Sequence, residues 1–282
     1  MTAIDLVCLA NSRKHGGRCV AGWRPDGAGF VRLVSPLADG TLTPIDLRLG
    51  GGVDGGAGGG DEPRMFDLLR VGVSAPRPMP HQRENWVIDE SPWRLLRRPA
   101  PRAMLERLAP WFERGPAILG SKRPAIPYDD CVRSPVAASL AVAKVERTVL
   151  VVGERLGRKR LRLRFALRGA AYELTVTDPL WERAVERWEC GEYAWWKMFP
   201  RGRDPVVTLS LTEPFGDARE CFKIVATLWP APEMRGFRWP KPRVDRRKAG
   251  RTVVAARTRR DDSAARPLLV GETASRGRIK PR

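Results

Sequence analysis

Between Lys159 and Arg168 the sequence alternates with a period of two. Leu161, Leu163, Phe165 and Leu167 fall on one side and Arg160, Arg162, Arg164 and Arg168 on the other, with Ala166 alone breaking the basic row. Only an extended strand with one buried and one solvated face satisfies this pattern, because successive side chains leave a strand on opposite faces. Gly169-Ala170 turns the chain, and Tyr172, Leu174 and Val176 continue the buried face. A long apolar run, Leu140–Val152, precedes this pair as a third strand. Asp178-Pro179 then offers a capping side chain followed by proline at the first helical position. Trp181, Ala184, Val185 and Trp188 form that helix's apolar face, and Gly191 marks its end. Val206–Leu211 and Cys221–Trp229 supply two more strands. Three strands, a helix and two strands predict a small closed barrel over the second half.

The first half reads similarly. Ile4–Leu9, Cys19–Trp23 and Phe30–Val34 have strand length and composition, Met65–Val73 is a fourth run, and His81–Asp89 supplies a polar entry and a fifth. Pro76, Pro78 and Pro80 stop the fourth. The glycine-dominated loop Gly50–Gly60 lacks a following Lys-Ser/Thr and a helix start, so it predicts a flexible insertion and not a phosphate-cradling loop. Pro101–Gly115 is helical, with Met104, Leu105, Leu108, Trp111 and Phe112 on one face and Pro110 predicting a kink or two short helices. The expected organisation is a first barrel with trailing helix over 1–115, a Pro-rich linker over 116–138, a second barrel over 139–240 and a disordered basic tail over 241–282. The five short strands of the first half suit a small barrel, and the element order of the second is that of an OB barrel.

The segments CLANSRKHGGRCVAGW, FVRLVS and HQRENWVID, followed by TVTDP and LTEPFGDARECFKIVA, carry a family resemblance. Together they resemble the dual OB-containing domain of prokaryotic proteins, over roughly Ile4–Trp229. The resemblance implies two small barrels that bind a ligand or nucleic acid; it implies no reaction. The fold class expected is therefore mainly β with a few helices, as tandem OB-like five-stranded barrels.

The formal charge is +19, and it is unevenly placed. Residues 241–282 hold 14 Lys/Arg and 4 Asp/Glu, so the tail carries +10 and the other 240 residues +9. A basic surface favours phosphate backbones and anionic membranes alike, and GC-rich coding alone can enrich arginine. The chain enters a strand-like run directly after Met1-Thr2-Ala3, without a signal peptide, and no apolar stretch reaches a membrane-spanning length. Five scattered cysteines with no CxxC pair, and only two histidines, argue against zinc and against a disulfide framework. A cytoplasmic protein with reduced cysteines, no metal, no cofactor and no membrane partner is expected.

Candidate contact residues cluster in two places. The turn Asn11–Arg18 offers backbone N–H groups, Asn11 and Ser12, and the charges of Arg13, Lys14 and Arg18 beside a Gly-Gly pair. Arg32, His81, Gln82, Asn85 and Trp86 are placed at the same mouth, with Trp86 stacking a base or, alternatively, filling the core. The second place is the row Arg160, Arg162, Arg164 and Arg168, a positive track for a sugar–phosphate backbone or, alternatively, a solvated face partly neutralised by Glu173. Among the aromatics 181–199, Trp181 and Trp188 are assigned to core, and Trp196 is the stacking candidate.

Catalytic ingredients are thin. His15 and Cys19 lie across a turn without an activated geometry, and Asp178, Glu220 and Lys223 only loosely suggest a metal nuclease. The expectation is a non-catalytic nucleic-acid-binding protein for single-stranded or structured RNA or DNA. The alternatives are a sensor module that binds a nucleotide or small anionic ligand at Asn11–Arg18, a phosphodiester-acting enzyme, or barrels that bind a protein while the tail supplies charge.

Overall fold

The computed structural model describes residues 2–50, 62–199, 205–232, 234, 237 and 238. The predicted glycine insertion, apart from Gly50, and the predicted tail 241–282 lie outside the described residues.

The first sheet comprises β1 (Thr2–Lys14), β2 (Gly17–Arg24), β3 (Gly29–Val34), β4 (Leu49–Gly50), β5 (Leu68–Pro76), β6 (Asn85–Ile88) and β7 (Trp93–Arg97). Its order is β1-β2-β3-β6-β5, and β5 returns to β1, which closes a five-stranded barrel. The closure works because β1 serves two partners: Thr2–Val7 pairs with β5, and Val7–Lys14 pairs with β2 across a register shift after Cys8. Within this ring β3 and β6 run parallel and the other pairs antiparallel. Leu6, Val20, Val31, Leu33, Leu69 and Val71 fill the interior.

Then follow α1 (Pro101–Leu108) and a 3-10 turn over Ala109–Trp111. Pro110, within that turn, has no N–H to continue an α-helical ladder, so the predicted helix 101–115 divides as expected but ends short of Gly115.

The remaining elements are β8 (Ala125–Pro127), α2 (Tyr128–Arg133), β9 (Leu140–Lys144), β10 (Glu146–Arg155), β11 (Arg158–Leu167), β12 (Ala170–Val176), α3 (Pro179–Val185), β13 (Gly191–Ala194), α4 (Trp195–Met198), β14 (Val206–Phe215) and β15 (Glu220–Trp229). The order β10-β11-β12-β15-β14-β9, with β12 and β15 parallel, repeats the plan of the first barrel. The predicted strand 140–152 is two strands, because the chain breaks at Val145 and Arg147 adopts φ +51°. One half pairs with β14 and the other with β11, so the divided strand closes the second ring. The buried face of β11 and β12 is as predicted, and Asp178 caps α3 by accepting from Leu180 N at 2.9 Å. Trp181, Trp188, Tyr193, Trp195 and Phe199 are all core.

Segment 116–138 corrects the linker expectation. Ile118 is buried in the second core, β8 adds to the edge of β15, and Cys131 of α2 packs on Leu211 and Cys221. Proline tolerates this placement because β8 pairs with β15 alone, and its N–H groups are needed on one side only.

The barrels share a core. Val7, Leu9 and Trp23 of the first, with Met104 and Leu108 of α1, pack on Val142 and Val206 of the second. Ala10 and Ala21 meet Leu140 and Ala226 beside them, where small side chains let the strands approach closely. Thr208 Oγ1 donates to Leu9 O at 2.8 Å, and Arg13 N donates to Thr177 O at 2.9 Å, so polar groups along this seam stay paired.

Candidate nucleic-acid and ligand interface

The predicted turn Asn11–Arg18 is mostly strand. β1 runs to Lys14 and β2 begins at Gly17, which leaves His15-Gly16 as the hairpin tip, with His15 in the left-handed region at φ +47°. Gly17 answers the close approach anticipated for the glycine pair. A Cβ there would lie 2.2 Å from Leu42 O, because Arg18 and Leu42 exchange backbone hydrogen bonds at that point.

The side chains of this hairpin are committed to protein partners. Asn11 Nδ2 and Arg18 Nε each donate to Glu62 at 3.0 Å, and Ser12 is buried against Cys19 O. Arg13 Nε reaches Glu182 Oε2 at 2.6 Å, and Lys14 Nζ reaches Glu213 Oε1 at 2.7 Å; both carboxylates belong to the second barrel. The hairpin is thus a clasp as well as a candidate contact surface.

The second group of candidates is a correction. Arg32, His81, Gln82 and Asn85 do not stand open at a mouth: each is buried, at 3, 2, 5 and 4 % exposure. Arg32 Nη2 donates to Ser139 Oγ at 2.6 Å and Ser210 Oγ at 3.0 Å, and Nη1 to Cys19 Sγ at 3.0 Å. Gln82 Nε2 donates to Leu211 O at 3.0 Å, and Glu84 accepts from Ser139 N and Oγ. These polar residues hold the two barrels together. Burial works against the Arg32 charge, but Cys19 and Glu84 outweigh it and its pKa is raised. His81 has no partner on either ring nitrogen and lies edge-on to Tyr128; burial pushes its pKa down to about 4. Trp86 is half-buried against the first core.

A cleft of about 290 Å³ opens beside this clamp, between the β1–β2 hairpin and the β14–β15 hairpin. Arg32, Cys19 and Gln82 line its depth, Leu211 and Ile224 its wall, and Lys14 its rim. Phe215 and Phe222 also line it, in edge contact at 6.5 Å and 75 and 38 % exposed. Sequence reasoning placed Lys14 and Arg32 here but missed both phenylalanines. Phe215 precedes the Gly216-Asp217 turn, and an apolar residue beside such a turn was the available signal.

Arg160, Arg162 and Arg164 stand on the outward face of β11 as predicted, while Arg168 lies past its end, in the turn to β12 at φ +48°. Arg160 and Arg168 are exposed, while Arg162 pairs with Glu173 at 3.1 Å and Arg164 with Glu173 at 2.8 Å and Glu192 at 3.0 Å. Trp196 is 68 % exposed, with Lys197 Nζ 5.2 Å from its ring centre.

The two rings share one strand plan, and the family model of the dual OB-containing domain matches residues 4–228. The chain belongs to the dual OB-containing domain family. No curated protein matches it. Membership in the dual OB-containing domain family supports a nucleic-acid or ligand-binding role.

His15, Cys19, Asp178 and Lys223 each hold a structural partner. His15 contacts Glu213, whereas Cys19 is held by Arg32. Asp178 also accepts from Leu228 N at 3.1 Å, tying α3 to β15. Lys223 donates to Ser121 O at 2.6 Å and Arg123 O at 2.7 Å, and burial lowers its pKa to about 8. Among the described residues no group of three or more His, Cys, Asp or Glu is disposed to hold a metal ion. No helix among them is long and apolar enough to cross a membrane.

Proposed function

We propose that this chain is a non-catalytic nucleic-acid-binding protein that lays a strand of RNA or DNA along β11. One observation carries the reading. Arg160, Arg162 and Arg164 project outward from the second strand of the second OB ring, and Arg168 follows in the turn that joins it to the third. The face built on strands 2 and 3 is where OB barrels take oligonucleotides. Spacing of about 6.6–6.8 Å between alternate residues of a strand matches a row of contacts along a sugar–phosphate backbone. Glu173 and Glu192 fix Arg162 and Arg164 in place before a strand arrives, and exposed pairs of this kind are weak enough for a phosphate to compete.

The test is fluorescence anisotropy of labelled single-stranded RNA and DNA, across a salt series, with the full chain, with residues 1–244 and with the full-length variant Arg160→Ala/Arg162→Ala/Arg168→Ala. Residues 1–244 form one compact unit and should retain binding. The variant should bind more weakly, and its slope of log affinity against log salt should shrink by about 0.7 for each lost phosphate contact. Loss of all binding in 1–244, or an unchanged affinity and slope in the variant, would overturn the proposal.

A further inference from the structure

The cleft between the two hairpins lies outside the β11 row and makes a demand the row does not. Its depth holds a guanidinium that is 3 % exposed and whose Nε–H has no partner. Glu84, the carboxylate nearest it, stands 3.7 Å away and spends its oxygens on Ser139. A buried cation with an unmatched N–H is costly unless an acceptor completes it. Lys14 adds a second cation at the rim, 15 % exposed at its side chain. Phe215 and Phe222 leave apolar rings in water on the lip formed by β14 and β15, where neither contributes to a core. Cation at the base, ring platform at the lip and a volume of about 290 Å³ describe a ligand with an anionic group at one end and a planar ring at the other.

The architecture agrees. In OB barrels the loops joining strands 1–2 and 4–5 flank the ligand. Here the strand 1–2 hairpin comes from the first barrel and the strand 4–5 hairpin from the second, so the site exists only where the two meet.

We infer that this cleft binds one nucleotide unit, its phosphate on Arg32 and Lys14 and its base against Phe215 and Phe222. The phosphate displaces Glu213, which holds Lys14 and His15 in the free protein. The same chemistry is offered by a free mononucleotide and by the phosphorylated end of a strand. This site stands independently of binding along β11.

Isothermal titration of the full chain separates the cases. The probes are AMP, CMP, GMP and UMP, inorganic phosphate, and hexanucleotides with and without a 5′-phosphate. At least one mononucleotide or 5′-phosphorylated hexanucleotide should bind saturably. Phe215→Ser should weaken it about tenfold, the worth of one stacked base. Phe215 is exposed enough that the variant should keep the wild-type melting temperature. Glu213→Gln should tighten binding. Binding by mononucleotides assigns the site to a free ligand, and binding by 5′-phosphorylated hexanucleotides alone assigns it to a strand end. No saturable binding of any nucleotide, or binding indifferent to Phe215→Ser, overturns the inference. Inorganic phosphate that binds as tightly as the nucleotides overturns the base platform.

Discussion

His81 offers the sharpest physical test of the barrel seam. Its imidazole is 2 % exposed, has no hydrogen-bond partner and feels opposing charges, Glu213 and Glu84 against Arg32 and Lys14. Burial dominates and holds its pKa at about 4, against 6.5 in an unfolded chain. The unfolded state therefore binds the extra proton first, and stability falls as pH drops from about 6.5 toward 4. A full separation of 2.5 units corresponds to about 3 kcal/mol, of which about 2 kcal/mol is lost by pH 5. The perturbation is His81→Phe, which keeps the ring contact with Tyr128 and removes no hydrogen bond. Urea unfolding of wild type and variant at pH 7.5 and pH 5, each protein compared with itself, cancels any packing offset. Wild type should lose about 2 kcal/mol more than the variant over that interval. Equal losses would refute the reasoning and mean that the imidazole is charged, or solvated, in the folded protein.

Glu173→Gln should release Arg162, leave Arg164 on Glu192 alone and tighten single-strand binding at low salt, read by anisotropy; unchanged affinity would remove this carboxylate from the account. Gly17→Ala should destabilise by about 1–3 kcal/mol in urea unfolding, because its Cβ meets backbone at Leu42 and not a yielding side chain. Asp178→Ala removes a helix cap and the tie to Leu228, and should cost about 1–3 kcal/mol, with Asp178→Asn recovering part of it. A loss under half a kilocalorie would show that water replaces the carboxylate.

The second barrel was the more legible half, because alternation in β11 and β12 and the Asp178-Pro179 start are local signals that tertiary packing did not override. Less could be read where a residue's role depends on a distant surface. Arg32, Gln82 and Asn85 have the composition of a ligand mouth, and a buried clamp uses the same residue types; only the position of Ser139, Ser210 and Leu211 tells them apart. The proline content of 116–138 spoke for a connector, yet Pro127 sits at an edge where its missing N–H costs nothing. The polar residues Asn11–Lys14 hid a strand extension that exists because β2 pairs with it residue for residue. The exposure of Arg160 followed from periodicity and Glu173 was anticipated from the next strand, whereas Glu192 reaches Arg164 from β13 and carries no local trace, and Arg168 leaves the strand for the turn.

A core shared across the seam also bears on how such a chain can change. Leu9 and Val7 press on Val142 and Val206, so a gain of volume on one side must be met by a loss on the other, although more than 130 residues separate them in sequence. Substitutions in the two halves are therefore expected to be accepted in pairs along β1, β9 and β14, and independently on the outward faces. Swapping one barrel for a relative's would carry a mismatched seam with it. The unit on which selection acts is the pair of barrels, and either alone is half of a fitted surface.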